Sequence, residues 1–222
     1  MLDEDADLAE LIPEPLIQTA RQASVAVTVD LPAGRWNARD DADRARDGYG
    51  LLALEGILVR RVGYADRYGA ELLAAGDLLR PWDFDGDGTL GFESTWRVLA
   101  GTRLAVLDIA WTERMARYAR IGPALAGRAL SRSRRLAAMM AISQQPRFDE
   151  RLWMLFWELA DRHGRVRADG VYLDLPLTHE VLSHLVAARR PSVSGALTKL
   201  ADQGRLRREG RRWVLSGEPP GS

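Results

Sequence analysis

The sequence predicts an α+β chain in which a β-rich N-terminal domain, a long helix, and a C-terminal helix-turn-helix with a β-hairpin follow one another. Three observations predict this order. Residues 24–31 and 48–111 contain alternating or apolar runs broken by glycine, which is typical of strands. After Pro123, residues up to 145 are good helix formers without an internal proline. Residues 177–206 form two short amphipathic segments around a tight turn.

The two segments of residues 177–206 carry start and stop signals for helices. Thr178 can cap the first helix, and Glu180 places negative charge in its first turn, where the helix dipole favours it. Pro191 stands near the start of the second helix, where its missing N–H costs nothing, and Gly204 follows as a stop. The inner face of the second helix repeats at helical spacing through Val193, Ala196, Leu197 and Leu200.

The segment LRREGRRWVL, residues 206–215, predicts two short strands around Glu209 and Gly210, because glycine suits the positive φ of a hairpin turn. Helix, turn, helix and hairpin in this order make a winged helix. Its leading edge is basic and rich in hydroxyl groups, and its hairpin is basic as well: Arg189, Arg190, Ser192, Ser194, Arg207, Arg208, Arg211 and Arg212. Such an edge is typical of a helix that enters the major groove of DNA. A winged helix that docks a protein is the alternative.

The motifs LPLTHE and LVAARRPSVS lie in a segment, residues 171–215, that resembles the DNA-binding domain of the Crp/Fnr family of bacterial regulators. A weaker resemblance extends over most of the chain. It implies a jelly-roll-like β-roll of the cyclic-nucleotide-binding type over residues 1–112. It further implies a dimerisation helix over 113–146 and a winged helix-turn-helix DNA-binding domain over 147–222. The implied function is transcription regulation by a homodimer that reads a palindromic site on double-stranded DNA.

The resemblance assigns roles to single residues of the second helix. Arg190 matches the family position that contacts guanine, and a bidentate contact to O6 and N7 would follow. Ser192 and Ser194 can reach base edges or phosphates, while Thr178 and Lys199 suit backbone contacts. The predicted DNA-binding set is completed by the neighbouring arginine and two wing arginines, Arg189, Arg208 and Arg211. Where the family has Glu and a second Arg, this chain has Pro191 and Gly195, so we expect a different half-site sequence.

The resemblance fails at the positions that hold a cyclic nucleotide. Gly76 and Asp77 match the glycine–aspartate pair that precedes the family's nucleotide-binding segment. The family's ribose-binding Gly-Glu pair, however, aligns with Arg80 and Pro81, and its phosphate-binding Arg falls at or next to Glu93. A carboxylate repels a phosphodiester in a low-dielectric pocket. We therefore expect that neither cyclic AMP nor cyclic GMP binds by the usual contacts.

The loop DFDGDGTLGFE, Asp83 to Glu93, resembles the start of a calcium-binding loop, with Asp83, Asp85 and Asp87 at alternate positions before Gly88. The expected bidentate Glu is missing at the twelfth position, which is a serine. Glycine and aspartate also favour turns by themselves. The sequence therefore favours a plain hairpin loop, and whether the loop binds a cation stays open.

Residues 123–145 predict the long helix between the domains. One face is predicted to contain Leu125, Ala129, Ser133, Leu136 and Met140. The small residues among them would let two helices approach closely. A helix packed within one subunit is the alternative. A following helix, residues 148–164, is predicted with Asp149 as its cap and Gly164 as its stop.

Composition excludes several classes of function. The chain contains no Cys, which excludes disulfides and thiolate metal sites, and its three histidines lie outside the predicted β-roll, which disfavours a histidine-ligated haem. No catalytic constellation, cofactor site or metal site survives inspection, so we expect no enzyme. Residues 1–112 carry a net charge of −9 and residues 113–222 one of +9. A basic C-terminal half attracts a polyanion such as DNA.

Neither a secretory signal nor an apolar run of membrane-spanning length occurs in the sequence. We therefore expect a cytoplasmic protein. RNA polymerase and a small-molecule effector of unknown identity complete the set of partners that the sequence leaves open. The alternative function is a protein-docking winged helix controlled by a ligand bound in the β-roll.

Overall fold

The computed structural model describes residues 1–65, 67–84 and 90–221. The chain divides into two compact units, residues 1–66 with 72–135 and residues 67–71 with 136–222. Each unit is built around its own antiparallel sheet. The α+β fold class predicted from the sequence is thereby confirmed. The domain boundaries at 112 and 146 stay predictions, and the division into units falls inside the long helix.

The N-terminal part of the chain is mostly sheet. Its elements are α1 (Ala6–Ala9), α2 (Ile17–Ala23), β1 (Val27–Leu31), β2 (Gly34–Trp36), α3 (Arg39–Ala42), β3 (Gly50–Tyr64), β4 (Arg67–Ala74), β5 (Leu78–Leu79), β6 (Glu93–Leu107), α4 (Ile109–Met115) and α5 (Ile121–Ser143). In the sheet the order is β1-β6-β3-β4, with β2 paired to β6 and β5 paired to β3. Short 3₁₀ turns precede α2, follow α3 and follow β5.

Two long strands, β3 and β6, form the centre of this sheet and pair over almost their whole length. The sequence predicts two strands separated at Gly56, but β3 continues through it as one strand with a β-bulge. Gly56 has φ +93°, and a Cβ there would meet the Thr102 hydroxyl and the Gly101 carbonyl. The glycine therefore bends the ladder without ending it, since a bulge adds a residue to one strand only.

Three arginines of α5 fix this helix to the first unit. Arg128 makes a bidentate ion pair with Asp5, which caps α1. Arg132 donates to the carbonyl of Leu78 at 3.2 Å, and Arg135 pairs with Asp77. The Asp77 side chain is only 2% exposed and also accepts from the Ala74 amide at 2.9 Å. Because these residues lie at i, i+4 and i+7, they place one face of α5 against the unit.

The stripe predicted for one face of α5 is wrong at Leu125. This side chain is fully buried in the core with Trp111 and Ile121, so it faces the unit's interior. The predicted Ala129, Ser133 and Met140 are exposed, and one stripe of exposed residues along the helix consists of Ala126, Leu130, Ser133, Ala137 and Met140. Their spacing alternates between four and three residues, which is the heptad spacing of a helix–helix seam. A shift of one residue rotates a stripe by 100° around the helix axis, and the sequence alone does not determine this angular position.

The second unit contains the C-terminal helices and hairpins. Its elements after α5 are α6 (Phe148–His163), β7 (Gly164–Arg167), β8 (Gly170–Leu173), α7 (His179–Leu185), α8 (Arg190–Asp202), β9 (Leu206–Glu209) and β10 (Arg212–Leu215). The four strands pair in the order β7-β8-β10-β9. Gly204 and Gly210 have φ of +67° and +60°, so both glycines stand where the sequence predicts a helix stop and a hairpin turn.

Helix α6 begins two residues earlier than a cap at Asp149 would place it. Its N-cap is Arg147, in extended conformation, and Asp149 stands in the first turn, so the predicted cap is wrong. The apolar side of α6 lies in the core of this unit, with the Phe156 and Trp213 rings 5.1 Å apart. Among the described residues, no helix is both long and apolar enough to cross a membrane.

Candidate nucleic-acid interface

Helices α7 and α8 form the predicted helix-turn-helix. The Thr178 hydroxyl accepts from the Val181 amide at 3.2 Å and caps α7, as predicted from the sequence. The turn between the helices has Ala187 at φ +50° and is closed by a 2.9 Å bond from the Ala188 amide to the Ser183 carbonyl. Non-glycine residues rarely adopt a positive φ, so this turn is a constrained element of the motif.

The inner face of α8 packs the helix against the core of the unit. The four predicted apolar residues are all buried: Val193, Ala196, Leu197 and Leu200. Helix α6 and helix α7 pack against α8. This burial on one side leaves the opposite side of α8 and its N-terminal end to solvent.

Arg189 and Arg190 lie at the exposed N-terminal end of α8. Arg189 is the N-cap residue and Pro191 follows Arg190 in the first turn, so no side chain caps this end. In the described part of the chain, neither guanidinium group makes an ion pair or a hydrogen bond. Two unpaired cations beside the unsatisfied amides of a helix N-terminus attract a phosphate.

Lys199, which the sequence assigns to the DNA backbone, is bound inside the unit. Its Nζ lies 2.5 Å from Oδ2 of Asp149, and Arg147 donates to the same carboxylate at 2.9 Å. The hydrogen bonds from Arg147 and Lys199 hold the pKa of Asp149 well below its usual range. Asp149 therefore ties α8 to the start of α6. Nothing in the sequence connects positions 149 and 199.

Ser194 is also engaged within the unit. Its hydroxyl donates to the Arg190 carbonyl at 3.2 Å and lies 2.9 Å from Nδ1 of His179. This contact joins the start of α7 to α8. His179 was not a predicted site residue, and only the fold brings it to α8. Ser192 is half-buried in the first turn of α8.

The four arginines of the wing fall into two groups. Arg207 binds Asp169 at 2.5 Å and Glu209 at 2.9 Å, and the bond to Glu209 raises its pKa. Arg212 lies 3.3 Å from Asp174. The two arginines that the sequence assigns to DNA differ from these, because neither forms an ion pair in the described part of the chain. Arg208 stacks on the Trp213 ring at 5.0 Å, and Arg211 makes no such contact.

The positions that would hold a cyclic nucleotide carry other contacts. Arg80 donates to the backbone carbonyls of Gly48 and Tyr49 and stacks on the Trp82 ring at 4.9 Å. Pro81 is buried and Glu93 is exposed at the start of β6. These residues therefore present no free ribose-binding carboxylate at position 81 and no phosphate-binding cation at position 93.

The loop from Asp83 to Glu93, which resembles a calcium-binding loop in sequence, is described only at its ends. Asp85, Asp87 and Gly88 lie outside the described residues. In the part that is described, no three His, Asp or Glu side chains converge as metal ligands.

The Asp149 carboxylate gives a pH-dependent prediction. Its lowered pKa stabilises the folded state above the usual Asp value of about 3.9, and this contribution is lost as the pH falls through the folded-state value. We expect Asp149→Asn to lower the free energy of unfolding by about 1 kcal/mol at neutral pH, because the carboxylate is one partner of a charge-assisted pair.

Urea unfolding between neutral and acidic pH measures this effect. The difference between Asp149→Asn and the unchanged protein should shrink as the pH falls. The control is Asp174→Asn, which removes an exposed partner of Arg212 and should change stability little. A pH-independent difference for Asp149→Asn would contradict the assignment.

The family model of the Crp-like helix-turn-helix domain matches residues 150–217. The comparison with curated protein sequences finds no similar protein.

Several solved structures share the fold over nearly the whole chain. A cyclic nucleotide-binding domain containing protein from Listeria monocytogenes EGD-e is 14% identical, with 95% of this chain and 96% of that chain covered and a TM-score of 0.71. A mutant of CooA from Carboxydothermus hydrogenoformans is 15% identical over 90% and 86%, with a TM-score of 0.68. FixK2 from Bradyrhizobium japonicum is 17% identical over 87% and 93%, with a TM-score of 0.62.

The resemblance inferred from the sequence is thus confirmed by two separate findings. The helix-turn-helix unit matches a Crp-like domain, and the solved structures named above share the fold over most of the chain. Proteins of this type are not enzymes, which agrees with the expectation from the sequence. Residues 150–217 of the chain therefore form a Crp-like helix-turn-helix domain, joined to an N-terminal part that shares the fold of the solved structures named above.

Proposed function

We propose that this protein is a transcription regulator that binds a palindromic site on double-stranded DNA as a homodimer and does so without a cyclic nucleotide. The observation that carries the proposal is the pair of unpaired arginines, Arg189 and Arg190, at the exposed start of α8. A helix that presents its N-terminal residues to the major groove reads bases with such side chains.

The proposed interface combines base and phosphate contacts. Arg190 contacts guanine, and Arg189 binds phosphate beside the helix N-terminus. The Thr178 end of α7 contacts the backbone, and Arg208 and Arg211 of the wing run along it. The ion pairs of Arg207 and Arg212 keep these two wing arginines inside the unit. Lys199 can contribute to phosphate binding only by exchanging Asp149 for a phosphate oxygen, and Ser192 and Ser194 remain candidates for base edges.

The homodimer rests on the exposed stripe of α5. Leu130 and Met140 are 66% and 71% exposed, although both are large apolar side chains. The small residues between them, Ser133 and Ala137, let a second copy of the helix approach closely. Two copies related by a two-fold axis present two recognition helices, and a palindromic site follows from that symmetry. RNA polymerase is a further partner in this proposal. Because the proposed partner is DNA, the proposal also includes a cytoplasmic location for the protein.

Independence from cyclic nucleotide rests on the contacts at Arg80, Pro81 and Glu93 and on the α5 arginines. Arg132 and Arg135 already bind Leu78 and Asp77, which connect α5 to the first unit without a ligand. A small-molecule effector of another class remains compatible with this arrangement.

The second candidate function is a protein-docking winged helix controlled by a ligand bound in the β-roll. It is favoured by a cleft of about 690 Å³ in the first unit. The cleft is lined by basic and aromatic side chains, among them Arg35, Trp36, Arg39, Phe92 and Trp96. Failure of the protein to bind heparin and DNA in a gel shift would favour this alternative.

The base contact of Arg190 gives the first test of the proposal. Site selection from a random duplex library should return a palindrome. Arg190→Ala should then bind the selected duplex about 10- to 100-fold more weakly and lose the preference for one guanine per half-site, since a bidentate contact supplies that discrimination.

Fluorescence anisotropy at fixed salt measures this affinity. The control is Arg165→Ala on the sheet edge opposite the wing, which removes an exposed arginine of the same unit that forms no ion pair with the described residues. It should leave base preference unchanged. Equal preference for guanine in Arg190→Ala and the unchanged protein would refute the contact.

The α5 seam gives the second test. The unchanged protein should sediment at twice the 24.7 kDa mass of the chain. Ala137→Glu should sediment as a monomer and bind the palindrome more weakly, because two carboxylates would then face each other in the seam. Ser131→Glu, on another side of the same helix, should stay dimeric; a dimeric Ala137→Glu would contradict the seam.

Cyclic nucleotide gives the third test. Isothermal titration with cyclic AMP and cyclic GMP should detect no binding, because the Arg80, Pro81 and Glu93 positions offer none of the usual partners. The affinity for the selected duplex should be the same with and without either nucleotide. Low-micromolar binding of either one would end this part of the proposal.

A further inference from the structure

The outward face of α8 has a glycine at its centre that the chain itself does not explain. Gly195 is exposed and lies opposite the buried face formed around Val193 and Leu197. A Cβ added at Gly195 would meet no heavy atom within 4 Å. Glycine is also a poor residue for a helix interior, since it loses the most backbone freedom on folding. No contact within the described part of the chain therefore calls for glycine at this position.

Two of the hydroxyl groups that flank Gly195 already donate within α8. The Ser194 hydroxyl donates to the Arg190 carbonyl at 3.2 Å, and the Thr198 hydroxyl donates to the Ser194 carbonyl at 3.1 Å. Lys199, the nearest cation, is held by Asp149 at 2.5 Å. The part of Thr198 that remains available to a partner is its methyl group. At Gly195 and Thr198 the outward face of α8 therefore presents a Cα and a methyl group.

We infer that Gly195 and Thr198 determine specificity for a thymine in each half-site. The inference rests on the proposed DNA binding and names one base that α8 reads. Gly195 has no side chain and the Thr198 hydroxyl proton is already engaged, so these two positions have no free donor for the acceptors of a base pair, whereas a Cα and a methyl group can pack on an apolar group. The 5-methyl group of thymine is the one apolar feature that the major groove presents. At Gly195 the base edge can approach the helix backbone, with the 5-methyl group against the Gly195 Cα and the Thr198 methyl.

The first experiment removes only the methyl group. In the palindrome selected by the complete protein, each thymine is replaced in turn by deoxyuridine, symmetrically in both half-sites. At one thymine per half-site this replacement should weaken binding by about fourfold per contact, the value of one buried methyl group. At the other thymines the affinity should not change.

The second experiment fills the space at Gly195. Gly195→Ala should raise the melting temperature of the free protein by about 3 °C, because alanine favours the helix. The same change should weaken binding to the thymine palindrome about tenfold, because the added methyl group occupies the place of the thymine methyl. On the Gly195→Ala protein the deoxyuridine replacement should no longer weaken binding.

The control is Gly101→Ala. Gly101 is an exposed glycine of β6 whose added Cβ also meets nothing within 4 Å, and it lies in the other unit. This variant should bind every duplex as the unchanged protein does. Unchanged affinity of Gly195→Ala, or indifference to uracil at every thymine, overturns the inference while DNA binding stands. If the unchanged protein selects no duplex, the proposed function itself fails, and the inference fails with it.

Discussion

The seating of α8 is the constraint on which the interface depends. Burial of Val193, Ala196, Leu197 and Leu200 fixes which side of the helix meets solvent. The bond from Lys199 to Asp149 and the contact of Ser194 with His179 add polar attachments to α6 and α7. A charge-assisted pair at a carboxylate that is mostly shielded from water holds geometry better than an exposed pair does. Side chains along the body of α8 are therefore attached to neighbouring helices, while Arg189 and Arg190 at its start form no ion pair among the described residues.

Pairing, rather than the number of arginines, decides what the basic half of the chain presents to a partner. Residues 177–222 contain eight basic residues, and four of them, Lys199, Arg205, Arg207 and Arg212, form ion pairs within the unit. Such pairs weaken the long-range field and leave the remaining cations to define the contact region. Arg189, Arg190 and Arg211 are in this remaining group. The interface is thus smaller than the charge distribution alone indicates.

Helix α5 serves two purposes because its two sides differ in chemistry. Its inner side carries Arg128, Arg132 and Arg135, which bind the first unit at Asp5, Leu78 and Asp77. Its outer side carries exposed apolar and small residues at heptad spacing. The stripe predicted from the sequence mixes the two sides, because it includes the buried Leu125. Helical periodicity gives the spacing of a face, but the position of that face around the helix depends on what the helix packs against.

The sequence by itself determined the elements of the second unit and their order. Caps, helix stops and turn glycines such as Thr178, Gly204 and Gly210 act over a few residues, so local chemistry is enough to predict them. It also placed Arg189 and Arg190 at the start of α8. Only the tertiary structure decided that Asp149 binds Lys199, that His179 contacts Ser194, and that Arg207 is paired while Arg211 is not. The two members of each pair come from different elements of the chain, and Arg207 and Arg211 differ only in which way they point from the wing. No local signal in the sequence encodes which side chains the fold brings together.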